Sequence, residues 1–311
     1  MTPSSPVTTV AICVSTYKRL NGLRRLLESL ARLENVDPTV EVVLVVADND
    51  LSGEARPVVE AARASLPFPV TYVVEEQRGI PQARNACVRE AGEVDWYVFV
   101  DDDEHVDRNW LSELLRVQRE TAAEVVMGPV LPVFAESPPE WAVRGRFFDG
   151  PRYPTGTRLH WAKTSSVLVH SALFESGGFD TSFGLRGGED THFFMRAWLE
   201  GRSIVWADDA IVYETVPAER VSPSWLVRRE YRRGNTLSLC LRLLTNTPGK
   251  KSKRLVRSIM EVAAGVCLLA SSVWRGRAGA VTGLRRLAFG AGLFSGLAGL
   301  GYEEYRVVHG E

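Results

Sequence analysis

The sequence predicts an α/β fold: a mostly parallel sheet flanked by helices, with a helical tail appended. Three observations lead there. Short β-branched runs alternate with helical patterns through the first 130 residues, polar clusters follow several of those runs, and a basic, apolar segment closes the chain. At 311 residues, 45% hydrophobic and 24% charged, the chain is too apolar for disorder. Its length fits roughly two domains, or one large domain with an appendage.

Residues 10–14 read as the first strand, and Leu23, Leu26, Leu27, Leu30 and Leu33 then recur at helical spacing behind Asn21, read as the cap. A second strand at 42–47 ends in Asp48, Asn49 and Asp50, with a helix near 54–65 and a third strand at 70–74. Pro81 suits the first turn of a helix whose inner side carries Ala83, Ala86 and Cys87. The strand at 96–100 runs directly into Asp101, Asp102, Asp103 and Glu104. A helix from about Asp107, its expected cap, carries Trp110, Leu111, Leu114 and Leu115, and 124–127 is again a strand. Apolar strands separated by helices of this kind are the pattern of βαβ units on a sheet covered on both faces.

Farther on, 136–154 is rich in Pro, Arg and aromatics and is expected to be an extended segment or loop crossing the active face. Residues 166–169 and 204–206 read as strands, and 192–199 as a helix entered through Gly187, Gly188, Glu189 and Asp190. No internal repeat of 20 to 50 residues is visible.

The net charge of −1 conceals a gradient: residues 245–311 carry +6 and the rest −7. An acidic body argues against a general nucleic-acid binder, and a basic, apolar tail suits an anionic leaflet. The four cysteines, Cys13, Cys87, Cys240 and Cys267, form no CxxC pair, which excludes a zinc knuckle and a disulfide scaffold and favours a reducing compartment. The first apolar run, 7–14, is short, broken by threonines and preceded by no basic residue, so no secretory signal is expected.

In doubly wound sheets ligands bind beyond the carboxyl ends of the strands, where Ser15-Thr16-Tyr17, Asp48-Asn49-Asp50 and Asp101 to Glu104 all fall. Four successive acids are costly to crowd together without a cation. Carboxylate oxygens are the hard ligands that Mg²⁺ or Mn²⁺ prefers, beside substrate phosphates. A solvated acidic turn is the other reading; the position after a βαβ strand favours the metal. Glu189 and Asp190 follow two glycines at a helix entry, where a carboxylate is held in a fixed orientation, as a cap, a general base or both. Arg78 and Arg84 flank a turn where they either meet an anionic ligand or face solvent. Arg220, Arg228, Arg229, Arg232 and Arg233 cluster around Trp225 and Tyr231; guanidinium forks suit phosphate, although part of this cluster can simply begin the basic tail. His105, His160, His170 and His192 show no zinc-ligand spacing.

Together, residues 10–19 (VAICVSTYKR), Asp48-Asn49-Asp50, residues 78–85 (RGIPQARN), residues 99–104 (FVDDDE) and Gly187-Gly188-Glu189-Asp190 resemble family 2 glycosyltransferases of the GT-A fold. The likeness is greatest to the succinoglycan-biosynthesis type of bacterial polysaccharide and glycolipid assembly, and spans about residues 8–240 in the family's order and spacing. It implies a nucleotide-diphosphate sugar donor (a UDP-sugar is the preferred reading), a divalent metal, Mg²⁺ or Mn²⁺, and inversion at the anomeric carbon.

By position, the resemblance places Thr16, Tyr17 and Arg19 beside the nucleoside, Asp48 or Asp50 on the base or ribose, and Arg78 and Arg84 near the nucleotide. Asp101 and Asp103 match the outer metal positions of the DxD motif, with Asp102 between them toward the donor. Asp190, with Glu189 beside it, matches the catalytic base. Where many relatives have a histidine that assists the metal, this chain has Glu214. The competing functions are a metal-dependent nucleotidyl- or phosphoryltransferase, for which no glycine-rich phosphate loop is present, and an inactive nucleotide-sugar-binding module.

The expected organisation is a catalytic domain over 1–244, with a nucleotide-binding half at 8–130 and an acceptor half at 131–244, followed by the tail at 245–311. The tail's apolar stretches, 262–274 and 287–302, are 13 and 16 residues long, short of the ~20 that span a bilayer. With arginines bracketing them, they read as helices lying in a membrane interface, the protein being cytoplasmic and peripheral; a helical hairpin packed on the catalytic domain or on a second subunit is the alternative.

Overall fold

The computed structural model describes residues 7–301. The chain opens with β1 (Thr8–Thr16), α1 (Leu20–Leu30), β2 (Val40–Asp48), α2 (Arg56–Ala62), β3 (Val70–Val74), α3 (Ile80–Glu90) and β4 (Trp96–Phe99). Next come β5 (Glu104–Val106), α4 (Trp110–Thr121), β6 (Val125–Met127), β7 (Val130–Phe134) and α5 (Glu140–Arg144). Then follow β8 (Val167–His170), α6 (Glu189–Leu199), β9 (Ile204–Trp206) and β10 (Val212–Val216). Three long helices, α7 (Pro223–Leu244), α8 (Pro248–Ala270) and α9 (Ser272–Ala298), the last kinked at Gly276 where φ is 61°, complete the described chain.

A seven-stranded sheet runs in the order β3-β2-β1-β4-β8-β6-β9. Its pairs are parallel except at β8, which is antiparallel to both β4 and β6. The unbroken apolar runs of the sequence have their reason here, since both faces of the sheet are covered. Val10, Ile12 and Val14 of β1 pack with the α1 leucines, while Ala11 and Cys13 point the other way, toward Ala83, Ala86 and Cys87 of α3. Phe193 and Phe194 of α6 are buried in that second layer.

A second, three-stranded sheet, β5-β10-β7, has no counterpart in the sequence reading. In it β10 pairs antiparallel with β5, setting Glu214 opposite Glu104, and parallel with β7. This pairing also corrects a cap. The Asp107 N–H is drawn to the Ile211 carbonyl, prolonging the strand pairing, and the Asp107 carboxylate accepts from the Asn109 N–H ahead of the helix, so Asp107 does not cap α4. Asn21 is likewise no cap. Helix α1 starts at Leu20, after a tight turn in which Lys18 has φ 56°, and Asn21 lies inside its first turn, accepting from Arg24.

The 136–154 stretch contains α5, and its Trp141 and Phe147 form a third apolar cluster with Leu226 of α7 and Val281 of α9. The tail is a hairpin of α8 and α9 laid along α7. Small residues permit the approach: a Cβ at Gly292 or Gly296 would overlap the carbonyls of Tyr231 or Asn235, and one at Gly234 would overlap that of Phe289. Across the same seam, buried Glu230 accepts from Arg285, and Asn235 donates to Ser295. Among the described residues no helix is long and apolar enough to cross a membrane. Tyr302, at the end of the second apolar stretch, lies outside those residues.

Candidate active site

A cleft of about 290 Å³ opens at the carboxyl ends of β1 and β4. Thr16, Tyr17 and Arg19 line it from the β1–α1 turn, Arg78 and Arg84 from the entry of α3, and Asp101 to Glu104 from the end of β4. Glu214 of β10 and Arg220, Trp225, Arg229 and Arg232 from the α7 region close the remaining side.

The four acids have different surroundings, because the chain turns sharply between β4 and β5. Asp102 is buried, accepting from the Thr16 hydroxyl at 2.8 Å and from Arg19 at 3.0 Å. Burial pushes its carboxyl up to about 6, Arg19 opposing and Asp103 adding to the rise. Asp103 accepts from Arg19 at 3.1 Å and from Arg220 at 3.5 Å, and Asp101 from Arg84 at 2.9 Å and from the Ser165 hydroxyl at 3.0 Å. Glu104 is turned inward: its carboxylate accepts from the Asp101 N–H at 2.9 Å, and burial raises its pKa well above the ordinary range. Glu104 therefore braces the loop that presents Asp101 and Asp103.

Behind the cleft wall, Arg84 donates to Glu189 with one nitrogen and to Asp101 with another. Burial would lower the pKa of this guanidinium, but the carboxylates of Glu189, Asp101 and Asp190 more than offset it and the pKa is raised. Burial pushes Glu189 up to about 7, with Arg84 opposing and Asp190 reinforcing, and among the described residues its Oε2 has no hydrogen-bond partner. Asp190 is only half-buried and accepts from the Thr191 N–H at 2.6 Å. Both acids follow Gly188, whose φ of 97° and closeness to Thr236 of α7 leave no room for a side chain.

The β2–α2 turn is organised by its middle residue and its buried acid. Asn49 accepts from the Gly79 N–H at 2.7 Å and donates to the carbonyls of Glu75 and Gln77, which fixes the Arg78 turn. Asp48 is buried and accepts from the Tyr72 hydroxyl at 2.6 Å and from the Asp50 and Ala55 N–H groups. Asp50 accepts from the Ser52 hydroxyl and pairs with Lys18 at 3.9 Å. Arg78 stacks on the Tyr17 ring, 4.5 Å from its centroid.

Residues 11–181 match glycosyl transferase family 2, over half of the chain. This chain is a family 2 glycosyltransferase. Succinoglycan biosynthesis protein ExoM of Rhizobium meliloti (strain 1021) is 36% identical to it over 236 residues, 73% of either chain. At fold level the glycosyltransferase resembles mannosyltransferase PcManGT from Pyrobaculum calidifontis, solved in complex with GDP-Man and Mn²⁺, with a TM-score of 0.60, 16% identity and coverage of 93% of this chain and 86% of that one. It also resembles S. aureus TarS 1-349, solved in complex with UDP, with a TM-score of 0.53, 18% identity and coverage of 98% and 95%. The GT-A fold and dependence on a nucleotide sugar follow from this membership and likeness.

Of the site residues read from the glycosyltransferase's sequence, the fold brings Thr16, Tyr17, Arg19, Arg78, Arg84, Asp101, Asp102 and Asp103 to one cleft. Asp48, Asp50, Glu189 and Asp190 do not line it; Glu189 stands behind Arg84, and Asn49 reaches the cleft where its acidic neighbours do not. From the arginine cluster, Arg220, Arg229 and Arg232 face the cleft, whereas Arg233 is paired with Glu230. Sequence reasoning missed Ser165, which precedes β8 with no distinguishing motif, and the inward turn of Glu104.

A divalent metal fits the donor set. Asp101, Asp103 and Glu214 offer only oxygen ligands on one cleft, and Asp101 and Asp103 are each neutralised by guanidinium groups. Among the described residues no three acidic, histidine or cysteine side chains are already gathered as a cage. This accords with carboxylates held by arginines.

Proposed function

We propose that this glycosyltransferase moves a sugar from a nucleotide-diphosphate donor, a UDP-sugar in the first instance, to an acceptor hydroxyl with inversion at the anomeric carbon. The observation that carries the reading is the convergence of Asp101 and Asp103 with Tyr17, Arg78, Arg84, Arg220 and Arg229 on one cleft. Tyr17 and Arg78 offer a flat face to the nucleoside, and Arg84, Arg220 and Arg229 supply positive charge to the diphosphate. A divalent ion, Mg²⁺ or Mn²⁺, held by Asp101 and Asp103 would supply further stabilisation of the leaving diphosphate.

Asp190 is the better base of the adjacent pair, because Glu189 is buried and committed to Arg84. Asp190 is half-buried at the entry of α6 and outside the cleft lining, so it would take the proton of an acceptor hydroxyl that approaches from that side as the oxygen attacks the face opposite the diphosphate. The acceptor is a glycan or lipid-linked glycan; the name of the 36% identical relative supports polysaccharide assembly. The test is incubation of purified protein with a panel of nucleotide sugars and Mn²⁺. Release of nucleoside diphosphate supports the reading, and nucleoside monophosphate with pyrophosphate overturns it.

The same reading places the enzyme peripherally on the cytoplasmic face of a membrane. Helix α8 leaves Val256, Ile259, Met260 and Val266 exposed, Trp274 follows at 85% exposure, and Lys250, Lys251, Lys253, Arg257, Arg275 and Arg277 flank them. An apolar stripe between basic clusters suits an anionic leaflet. Co-sedimentation with phosphatidylglycerol vesicles, absent with phosphatidylcholine alone, is the expected result.

A further inference from the structure

The sequence leaves Glu214 as the residue where a metal-assisting histidine often stands, and the fold gives it a definite setting. The β5–β10 register sets Glu214 opposite Glu104, next to the loop bearing Asp103. One guanidinium bridges the two acids: Arg220 donates to Glu214 Oε1 at 2.9 Å with one nitrogen and to Asp103 Oδ2 at 3.5 Å with the other. Arg220 belongs to a short 3-10 turn, Ala218–Arg220, between β10 and α7. The second arginine on Asp103, Arg19, is also held by Asp102, itself anchored to Thr16.

We propose that Arg220 is a resident counter-ion of the Asp103–Glu214 pair, and that a divalent metal binds these carboxylates only when Arg220 leaves them. The inference rests on the metal-dependent reading above and deepens it. Arg220 occupies Glu214 Oε1 and Asp103 Oδ2, so a metal ion held by these carboxylates would compete for the same oxygens and repel a guanidinium in hydrogen-bond contact with them. Arg220 has somewhere to go. Its guanidinium already lies 6.0 Å from the Trp225 ring centroid, and Arg229 lies against the same ring at 5.2 Å. Both arginines line the cleft, where a donor diphosphate supplies the anion that Arg220 loses. Metal and nucleotide are then coupled: each favours the position of Arg220 that the other needs.

The test reads metal affinity without turnover. Free Mn²⁺ is measured by electron paramagnetic resonance during titration of the full-length protein without nucleotide. Arg220→Gln is expected to bind Mn²⁺ about tenfold more tightly than wild type, as loss of a competing ion pair worth about 1.4 kcal/mol would give. Glu214→Gln is expected to bind it more weakly. Circular dichroism checks folding. Should Arg220→Gln not fold, Arg220→Lys decides: a point charge that cannot fork between two carboxylates should tighten Mn²⁺ by roughly threefold. Unchanged or weaker Mn²⁺ affinity in the folded arginine variant overturns the proposal, as does an unchanged affinity in Glu214→Gln. If wild type binds Mn²⁺ with UDP present but the arginine variant is no tighter, only this inference fails. If wild type binds no Mn²⁺ even with UDP, the metal-dependent reading fails with it.

Discussion

Arg84 joins the Glu189 carboxylate to Asp101, so one buried guanidinium ties the entry of α6 to the acidic loop after β4. Removing it strands a buried acid. Arg84→Met is expected to destabilise the fold by about 3 kcal/mol, and Arg84→Met combined with Glu189→Gln to recover part of that loss. Urea unfolding of the single and double variants measures it, and a double variant no more stable than Arg84→Met would show that the pair is not coupled.

The same burial fixes a pH effect. Glu189 is raised from 4.5 to about 7 in the folded state, so folding favours its protonated form. Its contribution to stability is fully present below pH 4.5 and is lost as pH rises to about 7. The melting temperature of wild type relative to Glu189→Gln should therefore fall across that window. A constant difference between the two proteins would contradict the assignment.

For Asp190, replacement by Asn preserves shape and removes the proton acceptor. Turnover should fall by a factor on the order of 10² to 10⁴ while donor affinity persists. Isothermal titration with UDP and steady-state kinetics separate the two quantities. If UDP binding and the melting temperature fall together, the residue is structural and Glu189 becomes the candidate.

Within the acidic loop, Asp103→Ala should abolish metal-dependent transfer with little change in melting temperature, since Asp103 is partly exposed. Asp102→Ala should act on stability, because Asp102 is buried and receives Thr16 and Arg19. Removing it leaves the Thr16 hydroxyl unpaired and should cost about 1–3 kcal/mol. Equal melting temperatures for the two variants would count against this division of roles.

In the tail, Gly292→Val places atoms against the Tyr231 carbonyl of α7. Overpacking of this kind costs about 1–3 kcal/mol. Trypsin should then cleave the α8–α9 hairpin faster than in wild type, and donor KM should rise, because α7 carries Arg229 and Arg232 into the cleft. Unchanged proteolysis would mean that α9 does not depend on this contact.

Most of the large sheet was legible because periodicity reports burial directly: β3 was placed residue for residue, and Pro81 opened α3 as expected. The small sheet was not. Strands β5 (Glu104–Val106) and β10 (Val212–Val216) mix polar residues among the apolar ones, unlike the short but wholly apolar β6 and β9, and the pairing of Glu214 with Glu104 is made across 110 residues of chain. The Asp101 to Asp103 run announced itself by the cost of crowding charges. Arg84 did not reveal that it would be buried, because nothing near position 84 names Glu189 as its partner. The tail's glycines signalled close packing, and the surface they pack on, α7, was seen only as a cluster of basic residues.

The reversed strand β8 bears on how the chain is made. It lies between β4 and β6, yet it is synthesised some 40 residues after β6 ends, and β9 follows later still. At translation rates of about 5–20 residues per second, β6 waits with an open edge for roughly 2–8 s, and β4 for roughly 3–14 s, before their shared neighbour arrives. A fragment cut near residue 130 would keep those edges for good and would be expected to aggregate. The first 130 residues therefore cannot complete their sheet on the ribosome ahead of those that follow: β8 fills the gap only after residue 170 has cleared the exit tunnel, and β9 completes the sheet only after residue 206.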